Sequence, residues 1–397
     1  MPDPSAPIFW QFSLSTINAI VWVVLLLLGL VMGLKMQWGR LVAITAFLTL
    51  DLIAFGAFVR LTDSGLGCPD WPGCYGQLLP AQASAQINQA MAEQGAHGPV
   101  NHVKAWIEMA HRYVASFIGM LILVMFVRAL VAKFRDGGAS WLRSVNEFGS
   151  ASVGVAWPLV LLIVVSLQGL FGKWTVTLKL MPIVVTTHLM GGMLLFALLI
   201  WFWMRERRRA GETRAMTIAV SSVVKVIVWV AVITLAAQIF LGGWVSTNYA
   251  VMACGDFPGC NGQLRPAVAW NEGFTLLRAL GRNPDGSFLS VDALRAIHWA
   301  HRIGAVITTV VVLAAAVTLL RAHSALRRQA MWITAALVLQ IVIGIGTVHF
   351  AKPIYLATAH NFVAAVLLAT LVVAAYRVSG PASNAGFAVS TTLRKQY

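Results

Sequence analysis

Apolar residues in this chain run in long blocks rather than alternating with polar ones. A membrane-spanning helix needs about 20 predominantly apolar residues. Nine blocks approach or exceed that length, at 17–34, 41–60, 105–130, 154–172, 183–204, 224–245, 296–320, 329–348 and 355–376. Blocks 17–34, 154–172 and 329–348 contain no Asp, Glu, Lys or Arg. The first resembles a signal-peptide core, but Met1 to Thr16 contains no Lys or Arg and so lacks the basic flank of such a peptide. It is expected to remain as a helix.

The blocks also repeat. Gly56-Ala57-Phe58-Val59 is followed 186 residues later by Gly242-Gly243-Trp244-Val245. The run from Cys68 to Leu78, with Cys-Pro-Asp-Trp-Pro-Gly-Cys at its start, matches Cys254 to Leu264 at the same offset of 186. Met109-Ala110-His111-Arg112 matches Trp299-Ala300-His301-Arg302 at 190, and Leu167-Gln168 and His188 match Leu339-Gln340 and His360 at 172. Matches kept in order mark an internal duplication. The expected fold is all-α and integral to the membrane: two tandem four-helix transmembrane bundles in parallel repeat, plus one extra N-terminal helix. The expected divisions are 1–40 for that helix, 41–210 and 211–380 for the bundles, and 381–397 for a cytoplasmic tail.

Composition agrees with a lipid environment: 59% of residues are hydrophobic and 11% are charged, against about 25% charged in soluble domains. The net charge of +15 could suggest nucleic acid, but its placement excludes that partner. Basic residues collect in alternate loops, as at Lys35 and Arg40, at Arg128, Lys133, Arg135 and Arg143, at Arg205 to Arg214, and at Arg321, Arg327 and Arg328. That is the cytoplasmic excess that orients helices. It places the N-terminus outside, the C-terminus inside, and the cysteine loops in the periplasm of a cell with an inner membrane.

Four of the nine histidines carry the chemistry. His111, His188, His301 and His360 each fall five or six residues after the start of an apolar block, two in each half. At 1.5 Å per residue this is about 8–9 Å below the helix start. Zinc or copper would want more protein ligands, whereas two imidazoles per bundle suit an iron porphyrin that supplies four nitrogens itself. His298 is an alternative ligand one turn before His301, although the repeat favours His301, and His349 has no histidine counterpart.

The halves differ in their acidic residues. Glu108 stands where the second half has His298, Arg60 where it has Ser246, and Asp51 where it has Ala237. A carboxylate inside a membrane helix is functional by default, so Glu108 marks the N-terminal half as the chemical one. Asp51 is open between function and a buried pair that fixes helix packing. Arg60 is open between interfacial anchoring and a pocket role, and Arg112 and Arg302 between interfacial anchoring and pairing with haem propionates. The four cysteines form two pairs, Cys68 with Cys74 and Cys254 with Cys260, at a spacing unlike a Cys-x-x-Cys motif. Structural disulfides on the oxidising side are the simpler reading, and a redox role for Cys68–Cys74 stays open.

The run Val59 to Pro72, the helix Glu108-Met109-Ala110-His111-Arg112 and the duplicated halves, over residues 41–376, resemble the heme A synthase family, in its proteobacterial and mitochondrial branch. The resemblance implies an oxidoreductase that converts haem O to haem A for cytochrome oxidase by oxidising the methyl group at ring carbon 8. It implies Glu108 as the catalytic residue, His111 and His188 as ligands of the substrate haem, and His301 and His360 as ligands of a haem b cofactor. Partners compatible with it are haem O synthase, an electron donor and a homo-oligomer. Two rival readings are a two-haem b-type electron carrier and a transporter. The first predicts equivalent halves, and the second predicts helices broken near the membrane midplane.

Overall fold

The computed structural model describes residues 34, 36–95, 98–135, 144–145, 151–152, 154–212 and 216–380. The block 17–34 (apart from Leu34), the tail 381–397 and His97 lie outside the described residues. The helices are α1 (Trp38–Leu61), α2 (Ser84–Gln94), α3 (His102–Arg135), α4 (Ala156–Thr177), α5 (Pro182–Arg209), α6 (Ser222–Thr247), α7 (Trp270–Gly273), α8 (Val291–Ala322), α9 (Arg327–His349) and α10 (Ile354–Arg377). Among the described residues eight of these, all but α2 and α7, are long and apolar enough to cross a membrane. The chain is a multi-pass membrane protein. Its outward faces carry residues such as Phe47, Ile233, Val310 and Val342, each at least 60% exposed. In lipid such residues need no cover, and the helices satisfy their own backbone groups.

Contacts run round α1, α3, α4 and α5, and again round α6, α8, α9 and α10. The two circuits meet where α1 and α5 pack on α10 and α5 packs on α6. The central helix is α10. Its buried positions Val363, Ala364, Ala365, Leu367, Leu368, Leu371, Val372, Ala374 and Ala375 cover most of its circumference. The alanines among them let neighbouring backbones approach closely, the usual means of packing helices where no water drives association. At the other extreme, α4 buries only Pro158, Leu161 and Val176 and lies at the periphery.

Two expectations are corrected. First, α3 and α8 begin earlier than their apolar blocks, at His102 and Val291. Their first turns hold Lys104, Asp292 and Arg295, and the Ser290 side chain caps α8 by accepting from the Ala293 N–H at 3.1 Å. Apolar counting misses such turns. His111 and His301 are therefore about 14–15 Å along their helices at 1.5 Å per residue, while His188 and His360 are about 9 Å along theirs. Depth from the helix start does not align the four. Second, Asp51 is not in a buried pair. α1 turns Val42, Thr45, Ala46, Thr49 and Ile53 inward, which leaves Arg40, Ile44, Phe47 and Asp51 on its exposed face.

Phe202 on α5 has no exposed surface and stacks on Trp157 with ring centres 6.0 Å apart. Phe202→Ala should cost about 3–5 kcal/mol, the usual range for a buried aromatic. A lowered thermal unfolding midpoint of the detergent-solubilised protein would register it.

Candidate functional site

Each of the four histidines lies against a glycine on the neighbouring helix. His111 on α3 faces Gly56 on α1, and His188 on α5 faces Gly172 on α4. His301 on α8 faces Gly242 on α6, and His360 on α10 faces Gly344 on α9. A Cβ added at these glycines would stand 3.1 Å from His111 Nε2, 3.4 Å from His188 Cε1, 3.0 Å from His301 Cε1 and 2.8 Å from His360 Cε1. At Gly56, Gly242 and Gly344 an added methyl group would crowd the ring, whereas at Gly172 it would make ordinary contact. All four histidines are half-buried, held among helices and not turned out to lipid.

The structure brings the rings together in pairs. His301 and His360 have ring centres 6.5 Å apart, with planes at 83°. Metal–imidazole bonds of about 2 Å on either side of one metal ion would set two ring centres at nearly this separation. His111 is near enough to His188 for the two to act on one another electrostatically, and it packs against Phe55 at 5.9 Å between ring centres. The Nδ1 atoms of His188 and His360 are buried without a protein partner. No cluster of three or more His, Cys, Asp or Glu able to hold a metal occurs among the described residues. Paired imidazoles without a third donor suit a macrocyclic metal complex. His298 is buried and accepts from Arg302 Nε at 3.3 Å. His349 is exposed and packs edge-on against Phe350 at the end of α9.

Above the histidines stand the two cysteine loops, built alike. Cys68 and Cys74 are joined at an S–S distance of 2.05 Å, and Cys254 and Cys260 at 1.96 Å. In each loop a two-residue turn with both φ positive, Tyr75-Gly76 or Asn261-Gly262, closes the chain on the second cysteine. An aspartate braces each turn. Asp70 accepts the Tyr75 and Gly76 N–H groups at 2.6 Å, and Asp256 those of Asn261 and Gly262 at 2.5 and 2.6 Å. These hydrogen bonds hold the Asp256 carboxyl below the usual carboxylate range.

The arginines next to the histidines bind these loops. Arg112 Nη1 donates to the carbonyls of Asp70 at 2.8 Å and Gly73 at 2.6 Å, and Nη2 pairs with Glu108 Oε1. Glu108 Oε2 accepts the Cys68 N–H at 2.9 Å. Glu108, 4% exposed, thus ties the first disulfide loop to the helix that carries His111. In the second half Arg302 donates to the carbonyls of Gly259 and Cys254, and the neutral ring of His298 takes the place of the carboxylate. Arg60 reaches across to α6. Its Nη2 donates to Ser246 O at 2.9 Å, its Nη1 pairs with Asp63 at 3.2 Å, and its guanidinium lies over the Tyr249 ring at 4.0 Å. Burial pushes the Tyr249 hydroxyl pKa up, and that hydroxyl donates to Asp63 at 2.6 Å.

Sequence reasoning missed what surrounds the histidines. It used Gln168 and Gln340 as repeat markers without giving them a role, and it passed over Gln238. Three of the four glycines share one signal with these glutamines, a fixed spacing of four on one helix face.

Known proteins resemble this chain along most of its length. The heme A synthase of Shewanella oneidensis is 37% identical over 346 residues, covering 86% of this chain and 96% of its own. The heme A synthases of Bradyrhizobium diazoefficiens and Rhizorhabdus wittichii are 29% and 27% identical, over 85% and 87% of this chain. The profile of the cytochrome oxidase assembly protein family, COX15-CtaA, matches residues 39–372, most of the chain and both pairs of histidines, and the chain belongs to that family.

Proposed function

We propose that this chain is a heme A synthase, an oxidoreductase that oxidises the C8 methyl of haem O to a formyl group and so supplies haem A to cytochrome oxidase. The observation that carries the reading is the asymmetry of the two histidine pairs, since a buried carboxylate, Glu108, stands beside only one of them. Equivalent halves would favour the electron carrier. The relatives' printed names support the synthase.

In this reading residues 41–210 form the catalytic four-helix unit and 211–380 the supporting one, as the two circuits of helix contacts suggest. His111 and His188 would hold the substrate haem, and His301 and His360 would hold a haem b whose chemistry there would be one-electron transfer. The glycines opposite the histidines fix the ring positions. Glu108 manages a proton at its carboxyl oxygens, or stabilises positive charge developing at the reacting edge of the substrate. Arg112 keeps that carboxyl oriented while it closes the cysteine loop over the site, and the apolar residues around it exclude water. The cysteine loops face the periplasm, the chain sits in the inner membrane, and haem O synthase and an electron donor are its partners.

The test is expression with a haem O-producing enzyme, followed by extraction and identification of the porphyrins. Haem A or hydroxylated intermediates support the synthase, haem B alone points to a carrier, and absence of porphyrin points to transport. Glu108→Gln should abolish conversion of haem O while both haems stay bound. The amide oxygen can still accept from Cys68, so full conversion by this variant would remove Glu108 from the chemistry. Gly242→Ala and Gly344→Ala should lower the haem b content of the purified protein by displacing the imidazoles. Gly119→Ala, whose added methyl meets nothing within 4 Å, should leave it unchanged.

A further inference from the structure

Three of the four histidine-facing glycines have a glutamine one helical turn earlier, and the fourth has a leucine. The pairs are Gln168 with Gly172, Gln238 with Gly242 and Gln340 with Gly344, whereas Leu52 precedes Gly56. Residues four apart share a helix face, so each glutamine points at the helix that carries the histidine. Gln168 Nε2 donates to the His188 carbonyl at 2.9 Å, and Gln238 Nε2 donates to the His301 carbonyl at 3.0 Å. The same Gln238 nitrogen is 3.0 Å from His301 Nδ1, and Gln340 Nε2 is 3.2 Å from His360 Nε2.

Two of these contacts depend on a further glycine. Gly191 and Gly304 each lie three residues after a histidine, and a Cβ at either would collide with the amide of Gln168 or Gln238. At the corresponding place after His111 stands Val114. Glutamine and glycine are thus replaced together by leucine and valine. Among the described residues no hydrogen bond reaches the His111 ring, which is bounded by Phe55 and Gly56.

Partners beyond the ligands hold an imidazole in its ligating orientation, and removing one typically weakens metal binding by about 10–100-fold. In the second pair both rings have a glutamine amide beside them, whereas in the first pair Gln168 holds the His188 main chain but not its ring, and no glutamine amide reaches His111 at all. We infer that His111 is the releasable ligand of the substrate site: the haem would stay on His188, whose helix turn Gln168 anchors through the main-chain carbonyl, while the bond to His111 would open for entry and exit. Gln238 and Gln340 are positioning residues that keep the other haem resident. This inference rests on the proposed function, since a substrate must leave at each turnover and a cofactor must not.

Carbon monoxide bound to the reduced, full-length protein provides the test, because it occupies only iron that has released a histidine. Wild type should bind carbon monoxide at one of its two haems. Leu52→Gln, which restores the missing amide, should slow that binding by about tenfold or more, while Leu52→Met, similar in volume but without a hydrogen-bonding group, should match wild type. Gln238→Leu and Gln340→Leu should make the second haem reactive and speed its loss to apomyoglobin. Equal carbon monoxide binding by wild type and Leu52→Gln with both haems retained, or two inert haems in wild type, would overturn the release role of His111. A purified protein without any haem would instead defeat the proposed function.

Discussion

The organisation of the site depends on the distance between an imidazole and the backbone of the helix beside it. Four times in this chain a histidine ring lies against a glycine of the neighbouring helix, and at three of them an added methyl group would crowd the ring. The constraint is steric and independent of any bound group. It fixes helix spacing at the loop end of the molecule and sets where two rings can meet. Helices elsewhere pack through leucine, valine and alanine, whose volumes exchange at modest cost. Next to three of the histidines a single methyl group already crowds the ring.

Around this repeated frame the halves differ in charge and in hydrogen bonding. In the first half a carboxylate and a guanidinium join the disulfide loop to the histidine helix. In the second an arginine does so beside a neutral imidazole. A buried ion pair adds little stability over a well-packed apolar alternative, so Glu108 is poorly explained by stability alone. The same half lacks one glutamine clamp. The acidic group and the loosened imidazole lie three residues apart on one helix, which places reactivity and mobility together.

Much of this was legible in the sequence. The eight apolar blocks that fall among the described residues all correspond to long helices, because a span in lipid must be apolar throughout whatever its tertiary contacts. The offset of 186 exposed the paired cysteine loops, and the four histidines were visible because they recur in the same order, at offsets of 190 and 172. Other features were not legible, for physical reasons. The lipid-facing side of a membrane helix is as apolar as its packed side, so nothing along α1 announced that Asp51 faces outward. The first turns of α3 and α8 are polar and fell outside the apolar count. Arg112 and Arg302 bond to backbone carbonyls of distant loops, and carbonyls have no side-chain signature. The glutamine clamps were written in the sequence at a fixed spacing, but a polar residue in a membrane helix reveals its partner only once the neighbouring helix is placed.

The crossing of Arg60 to Ser246 has an evolutionary corollary. These two residues are each other's counterparts in the duplication, as are Asp63 and Tyr249, which also touch. A position that meets its own copy lies where the two matched segments face one another. Had two identical, separate subunits both carried arginine there, two cations would have confronted one another at that junction. An unlike pair requires the copies to mutate independently, as they can once both are encoded in a single polypeptide. Covalent fusion thus permitted this junction to become heterotypic.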